Sequence, residues 1–539
     1  MYDALFFGDF RTMDANRPHA QAVAVQGDKI VWVGQKAEAE ELKAHETIDF
    51  GSHVVLPGFV DAHIHPILGA EFTRGVDLSQ VTSTVQLEKA LQDAAEHQSE
   101  SDGEWIFGWG LDPTIITGRN INAVDIDAAV TDRPVFIRLF DAHSGVINTH
   151  AIELVGLTGT ETFRSSAEVE VTDNGEPTGF LKEWDALQHV LNAAPRIPFE
   201  ARLKLFLEVL ERMANEGLTG GQVLDRTEGM LDLVKAAEEQ GDLPIRLTFS
   251  PWIMPGDDNT IITEVMELQG AKGERWNVKG VKLMIDGTID NGTAWLSSPD
   301  VNQQSTRPLW LDPESYRKVL LLLDQQGIRT TTHAIGDKAV EYVLDVIAET
   351  TQPHVDSHDE PGHRIEHIET LPDRLVHRFV QTGTAASMQP RHCTMFCAAD
   401  GSDNWSQRLG DDRRKNAWRL NSIYQTGAVM AIGSDWPVAP SDPLKIIAEG
   451  ELRRQVDQPN AEPVVPKEAM QRDALIASYT SDRARSWGDT DQGVIAPGKI
   501  ADFSVFDQDI FKIDANELPK TNVVATVIGG TVRHTRSRI

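Results

Sequence analysis

The chain has 539 residues, of which 40% are hydrophobic and 24% charged, with 41 Gly and 26 Pro, a balance that excludes disordered, collagenous and low-complexity classes. At about 100–200 residues per domain the length predicts two or three units, one of them large enough for a barrel of about 250 residues. Asp plus Glu number 82 against 50 Lys plus Arg, for a formal charge of −32, which repels the phosphate backbone and anionic lipid surfaces and excludes a general nucleic-acid binder.

The opening MYDALFFGDFRTMD has no basic region followed by an apolar run, and no stretch of about 18 apolar residues follows anywhere. The expectation is a cytoplasmic protein with no membrane partner. Short alternating stretches in the first fifty-odd residues (AVAVQGDKIVWVG, TIDFGSHVVLPGF) predict small antiparallel strands. The last fifty repeat the pattern (GVIAPGKIADFSVFDQDIF, VVATVIGGTVRHT). Neither end buries a sheet comfortably alone, so residues 1–55 and 485–539 are predicted to pair into one small β-sandwich.

Between them, residues 56–484 alternate apolar strands with helical stretches, the pattern of β–α units around a parallel sheet. Eight candidate strands stand out: VVLPGFVDAHIH, GLTGGQVLD, PIRLTFSPWI, VKGVKLMIDG, GIRTTTHAIG, HRIEHIE, TAASMQP and AVMAIGSDWP. Eight is the number a closed (β/α)8 barrel, a TIM barrel, requires. About 150 residues separate the first strand from the second, far more than one crossover needs. Residues 75–200 or so are therefore predicted to form an inserted subdomain, with strands of its own in EWIFGWG and RPVFIRLFDAH.

Five of the eight strands end near a potential metal ligand: His63 and His65, Lys282, His333, His367 and Asp435. Side chains two apart on a strand share a face, so Asp61, His63 and His65 point together, as do Lys282, Met284 and Asp286. Each residue alone has an ordinary explanation: a satisfied core histidine, a snorkelling lysine, a turn-capping aspartate. Their order on successive strand ends, where barrel active sites form, does not. A buried lysine can lose its proton and capture carbon dioxide as a carbamate, an anion able to bridge two metals. His63, His65 and Asp435 would then surround one divalent ion and His333 and His367 the other, about 3.5–4 Å apart as in two-metal hydrolases. Cys393 and Cys397 lack the spacing or further thiols of a redox or zinc motif.

The segments GFVDAHIHP, GLTGGQV, VKLMIDG, TTTHAIGD, RIEHIE, IGSDWPV and GVIAPGKIADFSVFD resemble the amidohydrolase superfamily. WIFGWG, DAHSGVIN, SMQPRH and SDWPVAPSDPL resemble the branch containing N-substituted formamide deformylase. The resemblance implies a carboxylated Lys282 bridging two zinc ions, His63 and His65 on the more buried ion, His333 and His367 on the second, and Asp435 as ligand and proton shuttle. It implies hydrolysis of a non-peptide C–N bond in an amide, formamide or cyclic amide by activated water. His143, with Trp109 and Asp112 nearby, is expected from the insert as a substrate contact; Asp286 and His392 are expected on the same face, and Glu183 has no assigned role. The expected partner is a small-molecule substrate, and homodimers recur in the superfamily. An isomerase or decarboxylase on the same scaffold, or a noncatalytic binding protein, is the alternative; no phosphate loop or nucleophile elbow supports another class.

Overall fold

The computed structural model describes residues 1–97, 104–350 and 362–535. At the N-terminus lie β1 (Tyr2–Arg11), β2 (His19–Gln26), β3 (Lys29–Gly34) and β4 (Ala44–Pro57). The first central strand is β5 (Phe59–Ile64). An inserted unit supplies β6 (Val76–Asp77), β7 (Ile106–Leu111), β8 (Val135–Leu139), β9 (Ser144–Ile147), β10 (Glu168–Val171) and β11 (Pro177–Lys182). The central region resumes with β12 (Leu218–Val223), β13 (Arg246–Phe249), β14 (Trp276–Val278), β15 (Val281–Met284), β16 (Thr330–Ala334), β17 (Arg364–His367), β18 (Ala385–Met388) and β19 (Met430–Ile432). The chain closes with β20 (Phe503–Phe506), β21 (Val523–Ile528) and β22 (Thr531–Thr535).

Both ends of the chain enter one sheet, in the order β22-β21-β20-β4-β1-β2-β3. The hydrogen-bonded ladder runs through strands of both ends without a break. Its junction is β4, long enough at 14 residues to pair with β1 on one side and β20 on the other. Phe6, Phe10 and Phe50 from the N-terminal part pack with Phe503 from the C-terminal part, with edge contacts at 5.6 and 5.8 Å. Ser504 ties this sheet to the central strands, accepting from Phe59 N and donating to Gly217 O.

The central strands are parallel and form two ladders, β14-β13-β12-β5 and β15-β16-β17-β18-β19. Strands such as β5, β12 and β15 are buried at every position, as parallel strands with both faces covered are. The covering helices are amphipathic: Phe199–Asn215 buries Leu203, Phe206, Leu210 and Met213, and Pro313–Gln325 starts on an Asp312 cap with Pro at its first turn. Hydrogen bonds cross both seams between the ladders. Lys282 N donates to Pro251 O and Ile253 N to Lys282 O at one; Asp435 N donates to His63 O and His65 N to Trp436 O at the other. The second seam requires a glycine, because a Cβ on Gly433 would lie 2.7 Å from His63 N and 2.8 Å from Asp61 Oδ1.

The inserted unit forms a sheet ordered β10-β11-β9-β8-β7-β6 with apolar clusters of its own, one around Leu91, Ile137 and Phe180 and one around Trp105, Phe136 and Leu187. The turn between β8 and β9 carries Asp141 and His143 toward the central strands. Asp141 accepts hydrogen bonds from Thr288 and Asn291 there. Among the described residues no helix is long and apolar enough to cross a membrane.

Candidate metal centre

The carboxyl end of β5 places two imidazoles side by side. His63 Nε2 and His65 Nε2 lie 3.2 Å apart, and Asp435 Oδ1 lies 3.2 and 3.1 Å from them. Each ring is anchored from behind. His63 Nδ1 donates to Glu366 Oε2 at 2.8 Å, and His65 Nδ1 to Asp225 Oδ1 at 2.6 Å. With Nδ1 held by a carboxylate, Nε2 is the nitrogen left for a metal, the arrangement in which second partners orient metal-binding histidines. Asp225 is fixed in turn by the Ile67 and Leu68 amides, and Glu366 by Arg364 and Thr331.

The second group is looser. His367 Nδ1 and His392 Nε2 each stand 3.9 Å from Asp435 Oδ2, and neither nitrogen, though buried, has a hydrogen-bond partner. A buried imidazole nitrogen without a partner is costly, and one atom that satisfies both is a cation between them and Asp435. The two triplets, His63–His65–Asp435 and His367–His392–Asp435, each bring their ligand atoms within 4.8 Å of one another. His333 stacks edge-on to His367 with ring centroids 4.4 Å apart, while its Nε2 donates to Gly287 O. Asp435 and His367 both take left-handed backbone, at φ 58° and 73°, a strained conformation for such residues that clusters at functional sites.

The electrostatics separate the two halves. Burial opposes charge on Asp435, but His63, His65 and His367 hold its pKa well below the usual carboxylate value, so it is an anion. Burial also opposes charge on Glu366, which Arg364, His63 and Lys282 outweigh, keeping it ionised. His63 is brought down to about 4 by burial and the neighbouring Lys282. For His65, Asp225 and Asp435 overcome burial and lift it to about 9. Burial lowers Lys282 to about 8 against the opposing pull of Glu366 and Asp435. Asp286 is pushed up to about 7 by burial in spite of three backbone donors.

A cavity of about 60 Å³ joins these groups. His63, His65, Lys282, His333, His367 and Asp435 line one side, and His143 reaches in from the insert. His143 Nδ1 donates to Glu183 Oε2 at 3.0 Å, and its ring lies 5.1 Å from that of His333. Glu183 is therefore the anchor of His143; its backbone is left-handed, φ 66°, and its Oε1 packs where a side chain on Gly287 would sit.

Other sequence-predicted positions fall elsewhere. His392, expected on the active face as a substrate-binding residue, is a member of the second triplet. Asp286 does not line the cavity: it accepts from the amides of Trp295, Ile335 and Gly336 and pins the loop after β15 beside His333. Asp112 caps a short turn through Thr114 and lines a separate cavity of about 1640 Å³ with Arg119 and Arg408. Trp109 lies on β7 inside the insert's sheet, between β6 and β8. Asp225 and Glu366 were not picked out from the sequence, although Asp225 ends the GLTGGQVLD strand at the level of the other ligands.

The amidohydrolase family profile matches residues 46–534, and the chain belongs to that family, whose members are metal-dependent hydrolases. It is 27% identical to the putative amidohydrolase YtcJ of Bacillus subtilis, over 99% of this chain and all of that one. It is 27% identical to the protein LONG AFTER FAR-RED 3 of Arabidopsis thaliana, over 97% of this chain and 90% of the relative. It is 25% identical to the N-substituted formamide deformylase of Arthrobacter pascens, over 98% and 97% of the two chains. An uncharacterised metal-dependent hydrolase from Pyrococcus horikoshii shares the fold, with a TM-score of 0.73 at 23% identity over 95% of this chain and 99% of that one.

Proposed function

We propose that the chain hydrolyses a C–N bond other than a peptide bond, in an amide, formamide or cyclic amide, at a centre of two divalent metal ions, zinc being the expected pair. The observation that carries this is the convergence of His63 Nε2, His65 Nε2 and Asp435 Oδ1, with both Nδ1 atoms held by carboxylates. The hydrogen bonds across both seams support closure of the eight parallel strands, counting β14 with β15, into a (β/α)8 barrel with the centre at its carboxyl ends. The formamide-cleaving relative supports the substrate class.

His63, His65 and Asp435 would hold one ion; His367, His333 and His392 stand around the other. Bound there, divalent ions lower the pKa of water and polarise a carbonyl. Lys282, 2% exposed and with its pKa lowered to about 8, has an uncharged fraction near neutrality that carbamylation could use: its nitrogen would bond to carbon dioxide, a proton would leave, and the resulting anion would offer its oxygens as metal ligands. Asp435, ionised and shared by both triplets, takes a proton from the attacking water and returns it to the departing amine. Glu183 orients His143 over the second group, where it meets the substrate carbonyl side. Burial of His63, Lys282, His333, His367 and Asp435 excludes bulk water and strengthens their interactions.

The test is turnover of a panel of formamides and cyclic amides by metal-loaded protein in heavy-oxygen water. The expected result is one labelled oxygen in the acid product for each amine released. Isomerised or decarboxylated product without label would contradict hydrolysis.

A further inference from the structure

The cavity lining is of two chemical kinds. Besides the histidines and Asp435 it includes the apolar side chains Leu68, Phe72, Trp184, Trp252, Pro437 and Val438. Trp184 meets Trp252 edge to face at 5.3 Å, Phe72 lies 6.0 Å from Trp184, and Trp252 lies 6.0 Å edge-on to His65. The aromatic wall is thus continuous with the candidate metal ligands. Phe72 and Trp184 remain half-buried, leaving apolar surface facing the cavity. The Arg138 guanidinium is directed at the Phe72 ring, 3.7 Å from its centroid, and donates to Ala142 O; it does not line the cavity. Among the described residues lining the cavity, Lys282 is the one lysine, assigned above to carbamylation, and there is no arginine.

We propose that the substrate carries an uncharged, apolar group on the amide nitrogen, seated against Phe72, Trp184 and Trp252, and that this wall rejects substrates with a carboxylate there. This rests on the hydrolase reading and adds to it which amides are cleaved. The physical basis is a difference between two costs. A small ring or branched alkyl group covers indole and phenyl surface and gains from leaving water. A carboxylate in the same place loses its hydration with no guanidinium or free ammonium to replace it.

Three amides separate the outcomes: N-phenethylformamide, unsubstituted formamide and N-formylglycine, each with the metal-loaded full chain. The expected kcat/KM for the phenethyl compound exceeds that for N-formylglycine by about a hundredfold or more. Trp184→Ala should cut the ratio between phenethyl and unsubstituted formamide by about tenfold, chiefly through KM. Equal turnover of N-formylglycine, or a ratio untouched by both Trp184→Ala and Trp252→Ala, overturns the proposal. Calorimetric binding of benzyl alcohol, weakened in the Trp184→Ala variant, reads the apolar wall without any turnover. If that binding is present and no amide is cleaved, the hydrolase reading fails and the wall stands; if amides are cleaved without preference and benzyl alcohol does not bind, the wall fails and the hydrolase stands.

Discussion

The two triplets share Asp435 and otherwise differ in how they are built. In the first, His63 and His65 are neighbours on one strand, stand 3.1–3.2 Å from the Asp435 oxygen, and are locked from behind by Glu366 and Asp225. In the second, His367 and His392 come from different elements, stand 3.9 Å away, and present nitrogens with no hydrogen-bond partner. The first is organised by the protein before any ion arrives. In the proposed two-ion centre the second would leave its polar atoms to be satisfied by the ion itself, so the two positions should differ in affinity and in sensitivity to mutation.

Asp435 belongs to both triplets, and its loss should have the largest effect. Asp435→Asn keeps the shape but not the charge or basicity; kcat should fall about a thousandfold in assays of metal-saturated protein. Full activity with both ions bound would remove the proton-shuttle role. Gly433→Ala attacks the seam that brings Asp435 to β5: its Cβ meets His63 N at 2.7 Å, and overpacking of this kind costs about 1–3 kcal/mol. Denaturant titration should show that loss, together with weakened binding at the first triplet.

The supporting carboxylates come next. Asp225→Asn should lower affinity at the first triplet by about 10- to 100-fold and leave the second unchanged, read by competition with a chelator. A further effect concerns pH. Asp286, beside His333, has a folded-state pKa of about 7 against 3.8 unfolded. Across that window the folded protein holds a proton that the unfolded chain releases, so stability falls as pH rises from 3.8 toward about 7. In metal-free Asp286→Asn that fall should be reduced, seen as a flatter dependence of Tm on pH; an unchanged slope would show that Asp286 does not carry it.

The parts of this centre that follow regular strand geometry were legible in the sequence. His63 and His65 share a face because strand side chains alternate, and Lys282 with Met284 lines the cavity for the same reason. Glu366 was hidden by that same rule. It precedes His367, and on a regular strand the two would face opposite ways. The left-handed backbone at His367, φ 73°, breaks the alternation, so Glu366 anchors His63 while His367 faces Asp435. Asp225 carried a readable signal in its place at a strand end. His392 was placed on the same face from its position just after the SMQP strand; that its ring comes within reach of Asp435 depends on the helix Pro390–Phe396, which the strand pattern does not describe. The termini were legible as strands; their joining through the single long β4 was not, because a sequence pattern does not state which strand pairs with which. Trp109 and Asp112 were misplaced because motif proximity along the insert gave no view of which face of its sheet meets the cavity.

The difference between the triplets is best measured by titrating metal-free protein with zinc, alongside His392→Ala, and counting bound ions by elemental analysis. Two ions per chain filling in two steps are predicted, the first tight, the second weaker and lost in His392→Ala. A single step, or a His392→Ala variant that weakens both positions equally, would contradict a preorganised first site beside an ion-assembled second one.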